Sequence, residues 1–443
     1  MAKKKLTEWY CPECGFTSPK FFGMCKCGEG VGEERRLQTD TIIVKGKEIS
    51  SKVTLTKDAK NIKDVNISDV KRFSTGFKQI DNVFGGSNNN KGVMPNSLNV
   101  FFGRPGIGKS TLLMQIINNL SQQNKNCFYV TAEENPEQLK ERYNRLGLKA
   151  DFSLTDEYNT LNIKEMSKDS DFIIIDSINS LYLPDTGVIG GVAQINANVM
   201  LLMKYAKEEN KTIIIISHVT KDGTITGSNF FKHMVDGVFE FSDMEEDGIY
   251  RIVQSGKNRF GKSDETAILK MTSSGLVEVE DPSFIFIDDN DDSFGNATSM
   301  ILQGNRPIFI DIESLVTSSN SDNKIYNVVG FDNKKYMQIL AIITKYLEVF
   351  IYEYNVFTNI AGGVKIKNEP QIDLAVIASI LSSQQEFNIN NFIFIGEVSL
   401  NGSIRKHKLE EIFIEHCKKM NINKKIISYG TGYKHIKDLL EIF

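Results

Sequence analysis

The segment Gly103-Arg104-Pro105-Gly106-Ile107-Gly108-Lys109-Ser110, followed by Thr111, fits the spacing GxxxxGK(S/T). It lies between an apolar run, Ser97 to Gly103, and a helical pattern from Lys109 to about Leu120. A strand that feeds a small-residue loop and then a helix is the setting in which this spacing has physical meaning. Small residues let successive backbone N–H groups point into one concavity at a helix N-terminus, where phosphate is stabilised. Lys109 adds a mobile positive charge and Ser110 a hydroxyl suited to Mg²⁺. The segment therefore predicts a site for ATP with Mg²⁺ and fixes a β-loop-α opening for the fold around it.

The runs that follow supply the rest of such a site. Cys127 to Ala132, Phe172 to Asp176 and Thr212 to Ser217 read as continuous apolar strands, separated by helix-like segments such as Ala193 to Glu209. That alternation is the pattern of a parallel sheet covered on both faces. Asp176 ends its strand, so its carboxylate emerges at the carboxyl edge of the sheet and can hold Mg²⁺ directly or through water, with Ser177 assisting. Glu133 and Glu134 leave their strand at the same edge, and either one can take the proton of an attacking water. Spacing does not separate them, and at least one also suits the start of the helix opened by Pro136 and Gln138. His218, after Ser217, either senses the γ-phosphate or caps the sheet.

Shorter strands follow at Gly237 to Glu240, Ile249 to Gln254 and Thr266 to Met271. Between the last two lies Lys257-Asn258-Arg259-Phe260-Gly261, a dense basic pair. It is either an exposed charged turn or a source of a trans-acting cation, Lys257 or Arg259, for a neighbouring subunit's triphosphate. The second reading demands an assembled ring or filament.

Cys11, Cys14, Cys25 and Cys27 crowd the first 30 residues, while Cys127 and Cys417 stand alone in apolar surroundings. In a long chain without a secretory signal, four clustered thiols read as ligands of one Zn²⁺ ion, with an iron centre as the less frequent alternative. A segment this small cannot fold on buried apolar area, so the metal supplies its folding free energy. Trp9, Phe16, Phe21 and Phe22, with Lys3, Lys4, Lys5, Lys20 and Lys26, form either a miniature core with a solvated face or a surface that stacks bases and grips phosphates. Residues 31–66 are polar and read as a linker carrying one short strand-like piece, Thr41 to Val44.

Beyond the acidic stretch Asp288 to Ser293 the α/β alternation restarts, with strands at FIDIESLV, VFIYEYNVF and FIFIGEV and helices at YMQILAIITKYL and DLAVIASILSS. The expected organisation is a metal-binding segment over 1–30, a linker over 31–66, an ATPase domain over 67–285 and a second α/β domain over 286–443. The charge balance of 52 basic against 56 acidic residues neither advertises nor excludes a nucleic-acid partner, which senses a local patch. No apolar stretch is long enough to cross a bilayer, so a cytoplasmic protein without a membrane partner is expected.

Taken together, these motifs resemble those of the bacterial RadA/Sms recombination and DNA-repair family over nearly the whole length. The matching stretches are the cysteine cluster, FSTGFKQIDNVFGG, GRPGIGKST, YVTAEENPEQLKERYNRLG, FIIIDSINS, SHVTKDGTITG, HMVDGVFEF, KNRFG, NVVGFDNKK, NVFTNIAGGVKIKNEPQIDLAVIASILSS and FIGEVSLNGSIR. The resemblance implies a RecA-like P-loop ATPase core and a C-terminal domain with the fold of Lon-type proteases. It implies hexameric rings and ATP-driven translocation on single-stranded DNA, extending strand exchange by branch migration of recombination intermediates alongside RecA. It also makes KNRFG the motif that couples nucleotide to DNA, and gives the C-terminal domain a part in DNA binding and assembly. The chain departs from the family in three places. One residue, not two, separates the last cysteines; Arg104 stands where the family has Glu; and Ser228-Asn229 replaces a Pro-Arg pair, with Lys232 and His233 nearby.

Lon-type proteases hydrolyse with a Ser–Lys pair, but this chain has Gln371-Ile372-Asp373-Leu374 where the nucleophile would stand, so peptidase activity is not expected. Lys365, Lys367, Arg405, Lys406 and Lys408 suit phosphate contacts across a ring or a solvated face. The rival reading is a nucleotide-gated switch for protein partners, as in clock-type RecA relatives, without motor activity.

Overall fold

Runs of β-branched residues that are apolar on both faces can be buried only in the middle of a sheet covered on both sides. The computed structural model places them there. It describes residues 7–11, 17–18, 23–25, 33–36, 62–64, 70–87, 89–218, 233–244, 248–287, 293–319, 321, 323–361 and 369–443. Two compact units divide the chain, the first over 1–242, 253–263 and 272–276 and the second over 243–252, 264–271 and 277–443.

The first unit is built on six strands of a nine-stranded sheet: β1 (Leu98–Gly103), β2 (Cys127–Thr131), β3 (Ser153–Thr155), β4 (Phe172–Asp176), β5 (Thr212–His218) and β6 (Gly237–Asp243). They lie side by side in the order β6-β1-β5-β4-β2-β3, with every neighbouring pair parallel. Every residue of β1, β2 and β4 is buried. Their helices are α1 (Lys78–Phe84), α2 (Lys109–Gln122), α3 (Pro136–Arg145), α4 (Thr160–Met166) and α5 (Val192–Glu208). Helix α3 starts where chemistry dictates. Asn135 and Gln138 exchange side-chain and backbone hydrogen bonds in a capping box, and Pro136 occupies the first turn, where it lacks no needed donor. One cluster of the core joins Val100, Val130, Ile173, Ile175 and Ile215 to Val199 and Leu202 of α5.

Near the N-terminus, Thr7–Tyr10 pairs antiparallel with Thr17–Ser18 on one side and Glu33–Arg36 on the other. Cys11, directly after the first of these strands, and Cys25 are both buried. Cys14, Cys27, the Thr41 to Val44 piece, Asp288 to Asp292, Ser228-Asn229, Lys232, Lys365 and Lys367 lie outside the described residues.

The second unit centres on a mixed sheet of β8 (Asn296–Gln303), β9 (Arg306–Ser318), β10 (Tyr326–Val329), β11 (Tyr354–Ile360), β12 (Phe392–Ile395) and β13 (Lys425–Ser428), where β7 is the earlier strand Tyr250–Asn258. The order is β10-β11-β9-β8-β12-β13. Helix α6 (Asn333–Tyr346) precedes β11, α7 (Asp373–Gln385) precedes β12 and α8 (Glu410–Lys419) precedes β13. Ten consecutive residues of α7, Asp373 to Ser382, are buried, so this helix is apolar on all sides because it is enclosed on all sides. The VFIYEYNVF run is not one strand: a 3₁₀ turn at Ile351–Glu353 breaks it, and β11 begins only at Tyr354.

Candidate active site

Strand β1 delivers the loop and α2 receives it. Gly103 is required by close approach, since a Cβ there would stand 2.1 Å from the Phe241 carbonyl oxygen. Gly108, which precedes the first turn of α2, has φ of +112°, a conformation open to glycine and costly for other residues. Arg104, Pro105 and Gly106 form the exposed tip, Ile107 is buried beneath it, and Ser110 and Thr111 are half-buried in the first turn. Lys109 is buried and curls back, donating from Nζ to the carbonyls of Gly103 at 2.8 Å and Arg104 at 2.9 Å. Burial holds its ammonium below the usual lysine range, against the opposing pull of Asp176 and Glu133.

Asp176 closes β4 with its carboxylate buried, and the Ser110 hydroxyl donates to it. Tyr129, on β2, donates to Asp176 Oδ2 at 3.0 Å. Burial pushes the Asp176 carboxyl up; the two hydroxyl donors oppose this, and the negative charges of Glu133 and Glu134 add to it. The loop amides, the Ser110 hydroxyl and a carboxylate fastened to it form the donor set that Mg-ATP requires, so the residues fit the group. Ser110 and Asp176 would hold Mg²⁺ there, and the ion would supply positive charge against the phosphates.

The two glutamates that spacing left equivalent are separated by the fold. Glu133 turns toward the phosphate loop: its Oε1 is 2.8 Å from His218 Nε2, and the Ser177 hydroxyl donates to the same oxygen. The His218 hydrogen bond is the main reason its carboxyl lies below the usual range, helped by Ser177 and Lys109 and opposed by burial. Glu134 is taken up by a different partner, its Oε1 2.5 Å from Arg142 Nη2 on α3. His218 is fixed from behind, its backbone N–H donating to Asn179 Oδ1 at 3.2 Å.

Lys257 and Arg259 are not part of this cluster. Lys257 Nζ donates to the carbonyls of His233 at 3.0 Å and Val235 at 2.8 Å. Arg259 Nη1 lies 3.2 Å from Asp236 Oδ1. Asp236 is buried and also holds Lys207 at 2.9 Å and the Leu98 backbone N–H at 3.1 Å. That N–H opens β1, whereas the phosphate loop leaves β1 at Gly103. At about 3.3 Å per residue the two ends are roughly 17 Å apart, so KNRFG and the loop of one chain face opposite edges of its sheet. Asn258 anchors the motif, donating to the carbonyls of Val83 and Phe84 at 2.9 and 3.1 Å.

Sequence reasoning missed Tyr129, Arg142, Asn179 and Asp236. Tyr129, Asn179 and Asp236 act through contacts distant in the chain, and Arg142 through Glu134 just before its helix. Among the described residues no group of three or more His, Cys, Asp or Glu is placed to hold a metal ion. No helix among them is long and apolar enough to cross a membrane.

A parallel sheet carrying a phosphate loop after β1, a loop-facing glutamate after β2 and a loop-bound aspartate at the end of β4 defines a RecA-like P-loop ATPase. The family model described as "ATPase: KaiC" matches residues 73–171. The DNA repair protein RadA of Streptococcus pyogenes serotype M6 is 37% identical over 431 residues, covering 96% of this chain and 92% of that protein. Those of Rickettsia bellii and Bacillus subtilis are each 34% identical, covering 98% and 96% of this chain. Among solved structures, the RadB recombinase aligns with a TM-score of 0.37 and 21% identity, covering 47% of this chain and 100% of that one. The chain belongs to the RadA family of bacterial DNA-repair proteins, and it is an ATP hydrolase of recombinational repair.

Proposed function

We propose that this ATPase is a motor on single-stranded DNA, which extends strand exchange by branch migration alongside RecA and works as a hexameric ring. The observation that carries the reading is the convergence of Lys109, the Ser110–Asp176 pair and the Glu133–His218 pair on one sheet edge. In this scheme the loop amides and Lys109 bind the phosphates, and Ser110 and Asp176 hold Mg²⁺. Glu133 accepts the proton of the attacking water, while Glu134 is engaged by Arg142. His218 shares an oxygen-bound contact with that base, so loss of the γ-phosphate would be felt at the end of β5, where the chain enters residues 219–232.

Lys257 and Arg259 act on a neighbouring subunit's triphosphate. The support is that both lie at the edge remote from their own loop, so a catalytic role for them requires a second copy. Cys11, Cys14, Cys25 and Cys27 bind one Zn²⁺, a reading supported by the burial of Cys11 and Cys25 and by the preference of that ion for soft sulfur donors. The second unit is a Lon-protease-like domain without peptidase activity; the stretch where its nucleophile would stand, Gln371-Ile372-Asp373-Leu374, contains no serine.

ATP turnover of the full chain with and without single-stranded DNA tests the motor reading. Stimulation that disappears in Lys109→Ala is the expected result. Turnover indifferent to DNA, with no retention of DNA, would favour a nucleotide-gated protein switch instead.

A further inference from the structure

Behind Asp176 and Glu134 stand two further polar side chains, Tyr129 and Arg142. Tyr129 is fully buried in β2, and the neighbouring Phe152 ring lies 6.5 Å away. A phenylalanine would fill this space as well, and a buried hydroxyl is unfavourable unless it finds a partner. The partner here is Asp176 Oδ2, at 3.0 Å. With the Ser110 hydroxyl donating to the same carboxylate, Asp176 is fastened both from the loop and from the sheet.

Arg142 complements it from α3. Its Nη2 holds Glu134 Oε1 at 2.5 Å, and its Nη1 is buried with no hydrogen-bond partner among the described residues. Asp176, Glu133 and Glu134 would otherwise crowd three carboxylates at the edge where a triphosphate must bind. The guanidinium pairs with one of them and leaves positive charge close to Asp176.

We infer that Tyr129 and Arg142 are positioning residues for the metal–nucleotide site: Tyr129 fixes the orientation of Asp176, and Arg142 holds and neutralises Glu134 beside it. This rests on the reading of Asp176 as a holder of Mg²⁺. Neither residue touches the reacting atoms, so their effect reaches the reaction through Asp176 and Glu134.

The test uses the full chain with a non-hydrolysable ATP analogue and Mn²⁺ as the probe, its retention measured by electron paramagnetic resonance. Tyr129→Phe keeps the ring and deletes only the hydroxyl; it is expected to weaken Mn²⁺ retention by roughly tenfold, the scale on which groups behind a metal ligand act. Arg142→Gln is expected to do the same, with Arg142→Lys recovering part of the loss. Asp176→Asn is the reference. If it weakens Mn²⁺ retention while Tyr129→Phe and Arg142→Gln stay within about twofold of the parent, well short of that scale, the positioning role is overturned and the metal reading stands. If Asp176→Asn itself has no effect, both fall, and the failure is traced to the metal reading.

Discussion

Arg259 is held to Asp236 through Nη1 and Oδ1 at 3.2 Å, at the end of the sheet where β1 begins. Lys109 grips the Gly103 and Arg104 carbonyls at the other end of the same strand. Lys109 and Arg259 are therefore divided within a chain by the length of a strand. Asp236 serves three partners, so Arg259 keeps its place without a nucleotide.

Arg259→Ala is expected to retain nucleotide binding and to lose turnover by one to two orders of magnitude, somewhat below the scale of trans-acting arginines. Mixing it with Lys109→Ala should restore part of the activity, because one mutant supplies the loop and the other the cation. Mixtures no more active than the separate variants would show that the motif does not work across subunits.

Glu133→Gln is expected to lower turnover by roughly 10²–10³-fold with nucleotide binding intact, as removal of a general base does. Glu134→Gln should cost less than about tenfold, below the general-base scale, since that carboxylate is committed to Arg142. Single-turnover hydrolysis with nucleotide binding measured in parallel distinguishes the two, and equal losses would contradict the assignment.

Gly103→Ala places a methyl group 2.1 Å from the Phe241 carbonyl, backbone that cannot rotate aside. A loss of at least ~2 kcal/mol in the stability of the first unit is expected, read from denaturant unfolding. Gly106→Ala meets no atom within 4 Å of the added Cβ, so its cost is confined to the strain of a φ of +76°.

In the second unit Asp373 is fully buried, with Lys335 Nζ 2.8 Å from its Oδ2. Burial pushes its pKa from the ordinary 3.8 up to about 6, against the stabilising contacts of Lys335 and the Val398 amide. Between those values the folded state binds more protons than the unfolded chain. Stability of this unit therefore falls as pH rises from about 4 to 6 and returns on acidification, by on the order of 3 kcal/mol. Asp373→Asn should flatten that part of the profile. Unfolding midpoints of parent and variant across this range check it, and parallel profiles would contradict it.

Zinc content of the full chain offers the simplest check on the cysteines. One metal per chain is expected, lost in Cys11→Ser together with the ordered N-terminal strands. Metal analysis and limited proteolysis read the two effects separately.

The strands and helices around the phosphate loop were legible because each is a local pattern. The apolar run before Gly103 had no way to be buried except in a covered sheet, and Asp176 at the end of FIIID could only emerge at its edge. The helix enclosed in the second unit announced itself through the same logic in DLAVIASILSS. VFIYEYNVF misled because apolar and aromatic content is shared by a strand and by the turn that enters one. The Glu133–Glu134 ambiguity could not be resolved locally, since adjacent residues at a strand end differ only in which way the following turn points them.

The sequence by itself determined that this chain binds a nucleoside triphosphate on a parallel sheet, because loop spacing and apolar periodicity act over a few residues. Tertiary structure decided which glutamate faces the loop, that Tyr129 and Arg142 stand behind it, and that KNRFG lies at the far edge. Apart from the short-range Arg142–Glu134 contact, those outcomes depend on residues far apart in the chain meeting in space, as Tyr129 meets Asp176, Glu133 meets His218 and Leu98 meets Asp236. Such meetings are set by the order in which strands join the sheet, which no local pattern encodes.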